Sequence, residues 1–351
     1  MQSIRVLAGN AGYDILIENG LLGRLGERLC ERLSPGRVLL VAAEKVNDLF
    51  GQRVRRSLTA LGVEYGALVV HADVSGGTLN ALNDVTRAMA QMKLGEGDTL
   101  LILGGAMLCD LGAFALKNSR RRARLVQAPT TLLGMADWAV DGKTAVEHRR
   151  GANMPGSFFA PDLILIDPQA AFTLSDRQFE NGMGEVIKCA CAADASMFRM
   201  LESLSGRAAI EARMEEVIWT SLSVKASLCG EERARMRLGH SLAYAIEMAQ
   251  HHRLLMHGEA VALGMLAVSR YSECLGITTR GTSQRIEDCL NRYHLPLRTS
   301  VEKDEMLKAL RSFNAPQCVL LERVGWSSVR SMEPGFMEKA WFGTKGGEEG
   351  C

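Results

Sequence analysis

The chain has 351 residues, of which 47% are apolar and 23% charged; this is long enough for two domains with a large buried core, and ordinary for a globular protein. A formal net charge of +1 gives no electrostatic reason to expect nucleic acid or an acidic membrane surface as a partner. No stretch reaches the ~18–20 apolar residues that a membrane span needs, and the opening MQSIRVLAGN reads as neither signal peptide nor anchor.

In chain order, Arg37-Val38-Leu39-Leu40-Val41 is a compact apolar run, followed by helix-like sequence through Leu61. Gly66–Val70 reads as the next strand, Asn80–Lys93 as a helix, and Thr99–Leu103 as a strand ending at Gly104-Gly105. This alternation predicts a parallel sheet with crossover helices, whose ligands bind at the carboxyl ends of the strands, where those glycines lie. Leu163-Ile164-Leu165-Ile166-Asp167 is the last clear strand. Beyond Asp176 the periodicity is helical, with patterns over Phe179–Ala193, Ala209–Leu228, His240–Gln250 and Gly258–Leu275. The expected fold class is α/β plus α: an N-terminal parallel-sheet domain over 1–165, a mostly helical domain over 166–342, and a disordered tail over 343–351. The nine cysteines are scattered and odd in number. Cys189 and Cys191 have one residue between them, which matches neither a zinc ribbon nor a thioredoxin motif. The expectation is reduced thiols in a cytoplasmic protein, packed as small apolar groups.

With seven histidines present, each can be weighed. His240 opens a helical stretch after Gly239, and His257 begins another in His257-Gly258-Glu259-Ala260-Val261-Ala262. Glu185 lies in Gly184-Glu185-Val186-Ile187-Lys188, an apolar helix where Glu185 and Lys188 share a face at i, i+3. Two imidazoles and a carboxylate form a common catalytic zinc set with one position left open. Taken singly, a histidine at a helix start also reads as a cap or surface group. His251 and His252 read as loop residues. A second cluster is Pro129-Thr130-Thr131-Leu132-Leu133, then Asp137, then Gly142-Lys143-Thr144. The last three resemble the end of a P-loop, but position 137 is Asp where the full spacing needs Gly. Lys143 between glycine and threonine suits a phosphate or oxyanion, or is an exposed loop lysine. The run Arg120-Arg121-Arg122 with Arg124 reads as a solvated face or an anion site.

These residues together resemble the 3-dehydroquinate synthases. Gly104-Gly105 with Asp110, Pro129–Leu133, Asp137, Gly142-Lys143-Thr144, Gly184–Lys188, Leu238-Gly239-His240 and His257–Ala262 follow that family's order and spacing, across residues 10 to 325. The resemblance implies a nucleotide-binding α/β domain, a helical metal domain, and an active site in the cleft between them. It implies zinc (or cobalt) on Glu185, His240 and His257, acting as a Lewis acid. It also implies NAD beside Gly104, Gly105, Asp110, Thr130, Thr131, Lys143 and Thr173. Family members oxidise a sugar-phosphate hydroxyl with NAD, eliminate phosphate, reduce the carbonyl back and close the opened sugar by an aldol step. Lys143, Lys188, Lys225 and Arg233 match the basic residues that hold substrate carboxylate and phosphate. Asn153 matches a polar substrate contact, and Asp137 belongs to the same catalytic set. Arg121 matches an arginine that reaches phosphate across a homodimer interface. The implied activity is that of a phosphate-eliminating carbon–oxygen lyase of the shikimate pathway, making 3-dehydroquinate from a heptulosonate phosphate.

The departures fall within the implied site. The third glycine of the phosphate loop is Ala106 and a later one is Cys109, where a Cβ can block close backbone approach or disfavour a positive φ. The acid expected to hold the adenosine ribose is Ala43. The segment Asp73-Val74-Ser75-Gly76-Gly77 lacks the family's glutamate and lysine. A second lysine, expected shortly after the histidine at 148, is Ala152, after Gly151. Asp141 stands where glycine is usual, Arg237 replaces an asparagine, and Tyr244 replaces a second histidine one turn after His240. A short deletion lies between Lys225 and Arg233, and the basic segment near Ala315-Pro316-Gln317 has shrunk. Charge-assisted contacts are worth about 1.5–3 kcal/mol each, so these changes leave three expectations: a 3-dehydroquinate synthase, a cyclase for another sugar phosphate, or a catalytically inactive zinc-binding homologue.

Overall fold

The computed structural model describes residues 1–8, 11–71, 77–140, 143–144, 157–251, 254–313 and 317–343. They divide into two compact units, Met1–Leu174 and Ser175–Cys351.

The first unit is built on a seven-stranded sheet. Its strands are β1 (Gln2–Ala8), β2 (Ala11–Ile17), β3 (Val38–Ala43), β4 (Tyr65–Val70), β5 (Thr99–Gly104), β6 (Arg124–Pro129) and, after the short antiparallel pair β7 (Lys143–Thr144) and β8 (Ser157–Phe158), β9 (Leu163–Ile166). Their order is β1-β2-β9-β6-β5-β3-β4. All neighbours are parallel except β1 and β2, which pair antiparallel from Gln2↔Ile17 to Ala8↔Ala11. The helices are α1 (Leu25–Leu33), α2 (Glu44–Val46) running through a π turn (Asn47–Gly51) into α3 (Gln52–Thr59), α4 (Gly77–Gln91), α5 (Ala106–Asn118) and α6 (Leu132–Ala136).

Every residue of β5 is buried, as expected for a central parallel strand covered on both faces. On one face Leu100 and Ile102 join Val85 and Met89 of α4 and Leu108 and Leu111 of α5 in one apolar cluster. The apolar runs read from sequence correspond to β3, β4, β5 and β9. β6 was not anticipated because its run is broken by Gln127, which is 1% exposed and donates through Nε2 to the Cys109 carbonyl at 3.0 Å. The β1–β2 hairpin also escaped. Its outer face carries charges such as the Arg5–Asp14 pair at 2.9 Å.

The second unit contains α7 (Asp176–Ala193), α8 (Ala195–Ser203), α9 (Gly206–Glu211), α10 (Met214–Ser227), a 3-10 segment (Gly230–Arg237), α11 (His240–Ala249), α12 (His257–Cys274), α13 (Thr282–Arg292), α14 (Lys303–Ser312) and α15 (Phe336–Phe342). An antiparallel hairpin of β10 (Gln317–Arg323) and β11 (Trp326–Ser331) interrupts the helices. The single pattern expected over 209–228 is two helices, α9 and α10. Ser175 opens α7 with a capping box to Gln178, which satisfies amides that would otherwise lack acceptors.

α12 is buried continuously from Gly258 to Ser269 and packs on α7 and α11. Glycines set these crossings. A Cβ on Gly184 would run into the backbone of Gly258, and one on Gly258 into the Asn181 carbonyl. Gly239 sits at φ 79°, where a Cβ would run into the backbone of Met265. Each close approach lies beside a residue of the expected metal set: Gly184 precedes Glu185, Gly239 precedes His240, and Gly258 follows His257. Gly184→Ala is therefore expected to lower stability by roughly 1–3 kcal/mol, read as a lower denaturant midpoint with unchanged slope; an unchanged midpoint would contradict the crossing.

Seven cysteines among the described residues are free, five of them buried. Among the described residues no helix is long and apolar enough to cross a membrane.

Candidate functional site

α7, α11 and α12 bring Glu185, His240 and His257 together, with one ligand atom from each lying within 4.8 Å of the others. Glu185 is 1% exposed. Its Oε1 is 3.3 Å from Nε2 of His257 and 3.6 Å from Nε2 of His240. Its Oε2 is 2.7 Å from Nζ of Lys188, an equally buried ammonium one turn along α7. That approach is not aligned as a hydrogen bond, so both carboxylate oxygens lack one among the described residues. Buried carboxylate oxygens normally find donors; here Oε1 faces the two imidazole nitrogens and Oε2 the Lys188 ammonium.

The other ring nitrogens are occupied. Nδ1 of His257 is 2.8 Å from Oε1 of Glu247, and Nδ1 of His240 is 3.4 Å from the Leu238 carbonyl. A hydrogen bond at Nδ1 fixes the tautomer and presents Nε2 as a ligand. The donor set, its burial and its orientation fit a divalent cation such as zinc.

Electrostatics follow from the same contacts. Burial alone would raise the Glu185 carboxyl, but Lys188, His240 and His257 hold it well below its usual range. Burial drives His240 down to about 3 despite Glu185. Burial also opposes charge on His257, yet the nearby carboxylates of Glu185 and Glu247 outweigh this and raise it to about 10. Glu247 was not singled out from sequence. It lies seven residues after His240, on the same face of α11, and that spacing is the one signal that could have found it. Glu247→Gln removes the carboxylate behind His257 and is expected to weaken zinc binding about 10–100-fold, measured by competition with a chromophoric chelator.

Tyr244, one turn after His240, packs its ring 5.7 Å from that of His240 and 6.3 Å from that of His257. Lys225 is buried on α10, one turn after Ser221, whose carbonyl faces Cys189 Sγ at 3.6 Å. Arg233 is half-buried on the 3-10 segment, which packs on α7, and Arg237 is exposed.

In the first unit, Gly104-Gly105 form the turn from the carboxyl end of β5 into α5. Thr130 N donates to the Gly104 carbonyl at 2.8 Å, and Thr131 caps α6 by accepting from Gly134 N at 3.1 Å. A Cβ at Gly105 would meet Thr131 Cγ2 at 3.2 Å, so this glycine lets the two turns pack together. Gly105 offers α5 no side-chain cap, leaving its first amides open to an anion. Cys109 is fully buried, its Sγ 4.0 Å from the Gly104 carbonyl. Neither Ala106 nor Cys109 has a positive φ, so the strain expected from these two replacements is absent. The turn fits a pyrophosphate. The ribose end differs: Ala43 ends β3 without a polar side chain, and Glu44 beside it is exposed and pairs with Nδ1 of His71 at 3.0 Å. Asp110 accepts from Trp138 Nε1 at 3.0 Å, Asp137 is the half-buried C-cap of α6, and Thr173 Oγ1 donates to the Ala170 carbonyl at 2.9 Å. Arg121 donates to the Leu94 carbonyl at 2.7 Å. Lys143 pairs through its backbone with Phe158, and its side chain lies outside what is described, as do Asn153, Asp73, Asp141, Gly151, Ala152, Ala315 and the histidine at 148.

Comparison with known proteins agrees across the chain. A family model for the N-terminal part of 3-dehydroquinate synthase matches residues 67–181, and one for the C-terminal part matches 182–313. The 3-dehydroquinate synthase of Pelobacter propionicus is 36% identical over 304 residues, covering 84% of this chain and 85% of its own. That of Enterococcus faecalis is 30% identical over 347 residues, covering 95% and 97%. Among solved structures, 2-epi-5-epi-valiolone synthase from Streptomyces hygroscopicus subsp. jinggangensis, with NAD+ and Zn2+ bound, superposes with TM-score 0.81 at 27% identity, covering 95% of this chain and 97% of that one. A 2-deoxy-scyllo-inosose synthase shares the fold with TM-score 0.85 at 17% identity, covering 97% and 99%. With two relatives at or above 30% identity covering more than four-fifths of it, the chain belongs to the 3-dehydroquinate synthase family.

Proposed function

We propose that this protein is a cytoplasmic, homodimeric 3-dehydroquinate synthase, converting a heptulosonate phosphate to 3-dehydroquinate with loss of phosphate. The observation that carries this reading is the convergence of His240 and His257 Nε2 on a buried Glu185 carboxylate whose oxygens lack hydrogen bonds. Zinc or cobalt held there would supply Lewis-acid polarisation of a substrate hydroxyl. NAD at Gly104, Gly105, Asp110, Thr130, Thr131, Lys143 and Thr173 would supply the hydride acceptor and donor. Glu247 holds the His257 ring in place, and Lys188 offsets the charge of Glu185. Lys143, Lys188, Lys225 and Arg233 serve as anchors for carboxylate and phosphate, and Asn153 and Asp137 as polar contacts. The valiolone synthase relative carries the same pair, NAD+ and Zn2+.

Tyr244 favours a second reading, a cyclase for another sugar phosphate. A phenol ring beside His240 and His257 stands where the family has a second histidine. Calorimetric titration of NAD into zinc-loaded protein tests the route common to both. Micromolar binding that is lost in Lys143→Ala supports it; no binding at millimolar NAD, with zinc bound and the fold intact, leaves a zinc-binding homologue without this chemistry.

A further inference from the structure

The helical unit contains a cavity of 690 Å³ that is separate in its lining from the metal centre. It is open to solvent, and four exposed arginines line it, Arg199 of α8, Arg280 before α13, Arg285 of α13 and Arg323 at the tip of the β10–β11 hairpin, together with Thr279, and no carboxylate does. In a chain of net charge +1, overall charge does not account for such a concentration. Only Arg285 is matched by an acid, a two-pronged bond to Glu202 at 3.0 and 2.8 Å. Among the described residues Arg199 and Arg280 form no ion pair, and Arg323 lies 5.6 Å from the Trp326 ring.

The backbone that carries two of these arginines is held in place. Gly325 N donates to the Cys191 carbonyl at 2.8 Å, and a Cβ on Gly325 would strike the backbone of Ala195. On the other side of the hairpin Arg235 stacks 4.0 Å from the Trp326 ring and donates to the Ala192 carbonyl at 2.9 Å. Thus Arg323 and Arg199 are carried on elements locked together. Glu273 already accepts from the Ser283 amide in the first turn of α13, so the guanidinium groups, rather than that helix end, supply the attraction.

We infer that this cavity is a binding site for a small metabolite carrying two or more phosphoryl groups. Guanidinium forks match phosphate oxygens two at a time, and three arginines without an acid call for more than one anionic group. The volume is that of an ordinary small-molecule site. The site is independent of the cyclase reading, because binding here needs neither NAD nor turnover.

The test is calorimetry with fructose 1,6-bisphosphate on the zinc-loaded protein, beside Arg199→Ala/Arg280→Ala. Saturable binding is expected, weakened as salt rises, and reduced at least about tenfold in the double variant with zinc content and unfolding midpoint unchanged. Arg199→Lys/Arg280→Lys, which keeps charge but loses the fork, is expected to bind between the two. No saturable binding at millimolar bisphosphate, or binding undiminished in the alanine variant, would overturn the assignment.

Discussion

Replacing Glu185 by alanine is expected to abolish stoichiometric zinc binding and to destabilise the metal-free helical unit by about 3–5 kcal/mol. The two effects have separate origins. Zinc loses the one carboxylate of its donor set, and two imidazoles alone make a poor site. Independently, Lys188, 1% exposed, loses the carboxylate 2.7 Å away, and breaking a buried pair from one side leaves a desolvation penalty without its compensation. The double replacement Glu185→Leu/Lys188→Met removes both charges and is expected to recover most of the stability, while still failing to bind zinc. Metal content by mass spectrometry and urea unfolding of metal-free protein read the two effects apart. Full stability in Glu185→Ala would mean that the pair is not buried as described.

Zinc affinity should rise steeply with pH. In the metal-free protein Glu185 is ionised and His240 neutral at all ordinary pH, whereas His257 holds its proton up to about 10. The raised value means that protonated His257 stabilises the metal-free fold, fully below the ordinary imidazole value of 6.5, a gain lost as pH climbs through about 10. Zinc needs the neutral ring, so for the metal the sign reverses: each binding event displaces a proton, and affinity climbs about tenfold per pH unit between roughly pH 5 and 9. His257 is 36% exposed, so solvent screening lowers the upper end of this window. Titrations in buffers of different ionisation enthalpy should report about one proton released per zinc at neutral pH. No proton release there would show that His257 is already neutral and that Glu185 and Glu247 do not hold its charge.

The sheet and the helices that frame the metal centre were legible where the sequence is periodic. β5 reads as a strand because a central parallel strand is apolar on both faces, and α7 and α12 read as helices because their apolar positions recur. β6 was not legible, since its buried Gln127 looks like an exposed residue until its bond to the Cys109 carbonyl is seen. The β10–β11 hairpin was hidden by its outer charges, the Arg330–Glu322 pair among them. Glu185, His240 and His257 belong to three helices, and no local spacing joins them; resemblance to a family grouped them, and the backbone crossings at Gly184, Gly258 and Gly239 give the physical reason they meet. Glu247 became visible only through its contact with His257. The four arginines of the second cavity are spread from position 199 to 323, too far apart for charge patterning to reveal.

The most direct test of the account is phosphate release from a heptulosonate phosphate by the zinc-loaded protein in the presence of NAD. The account predicts phosphate and 3-dehydroquinate in equal amounts, with neither formed after zinc is removed or by Glu185→Ala. If the folded, zinc-bound protein with NAD present releases no phosphate from this substrate, the assignment as a 3-dehydroquinate synthase is contradicted.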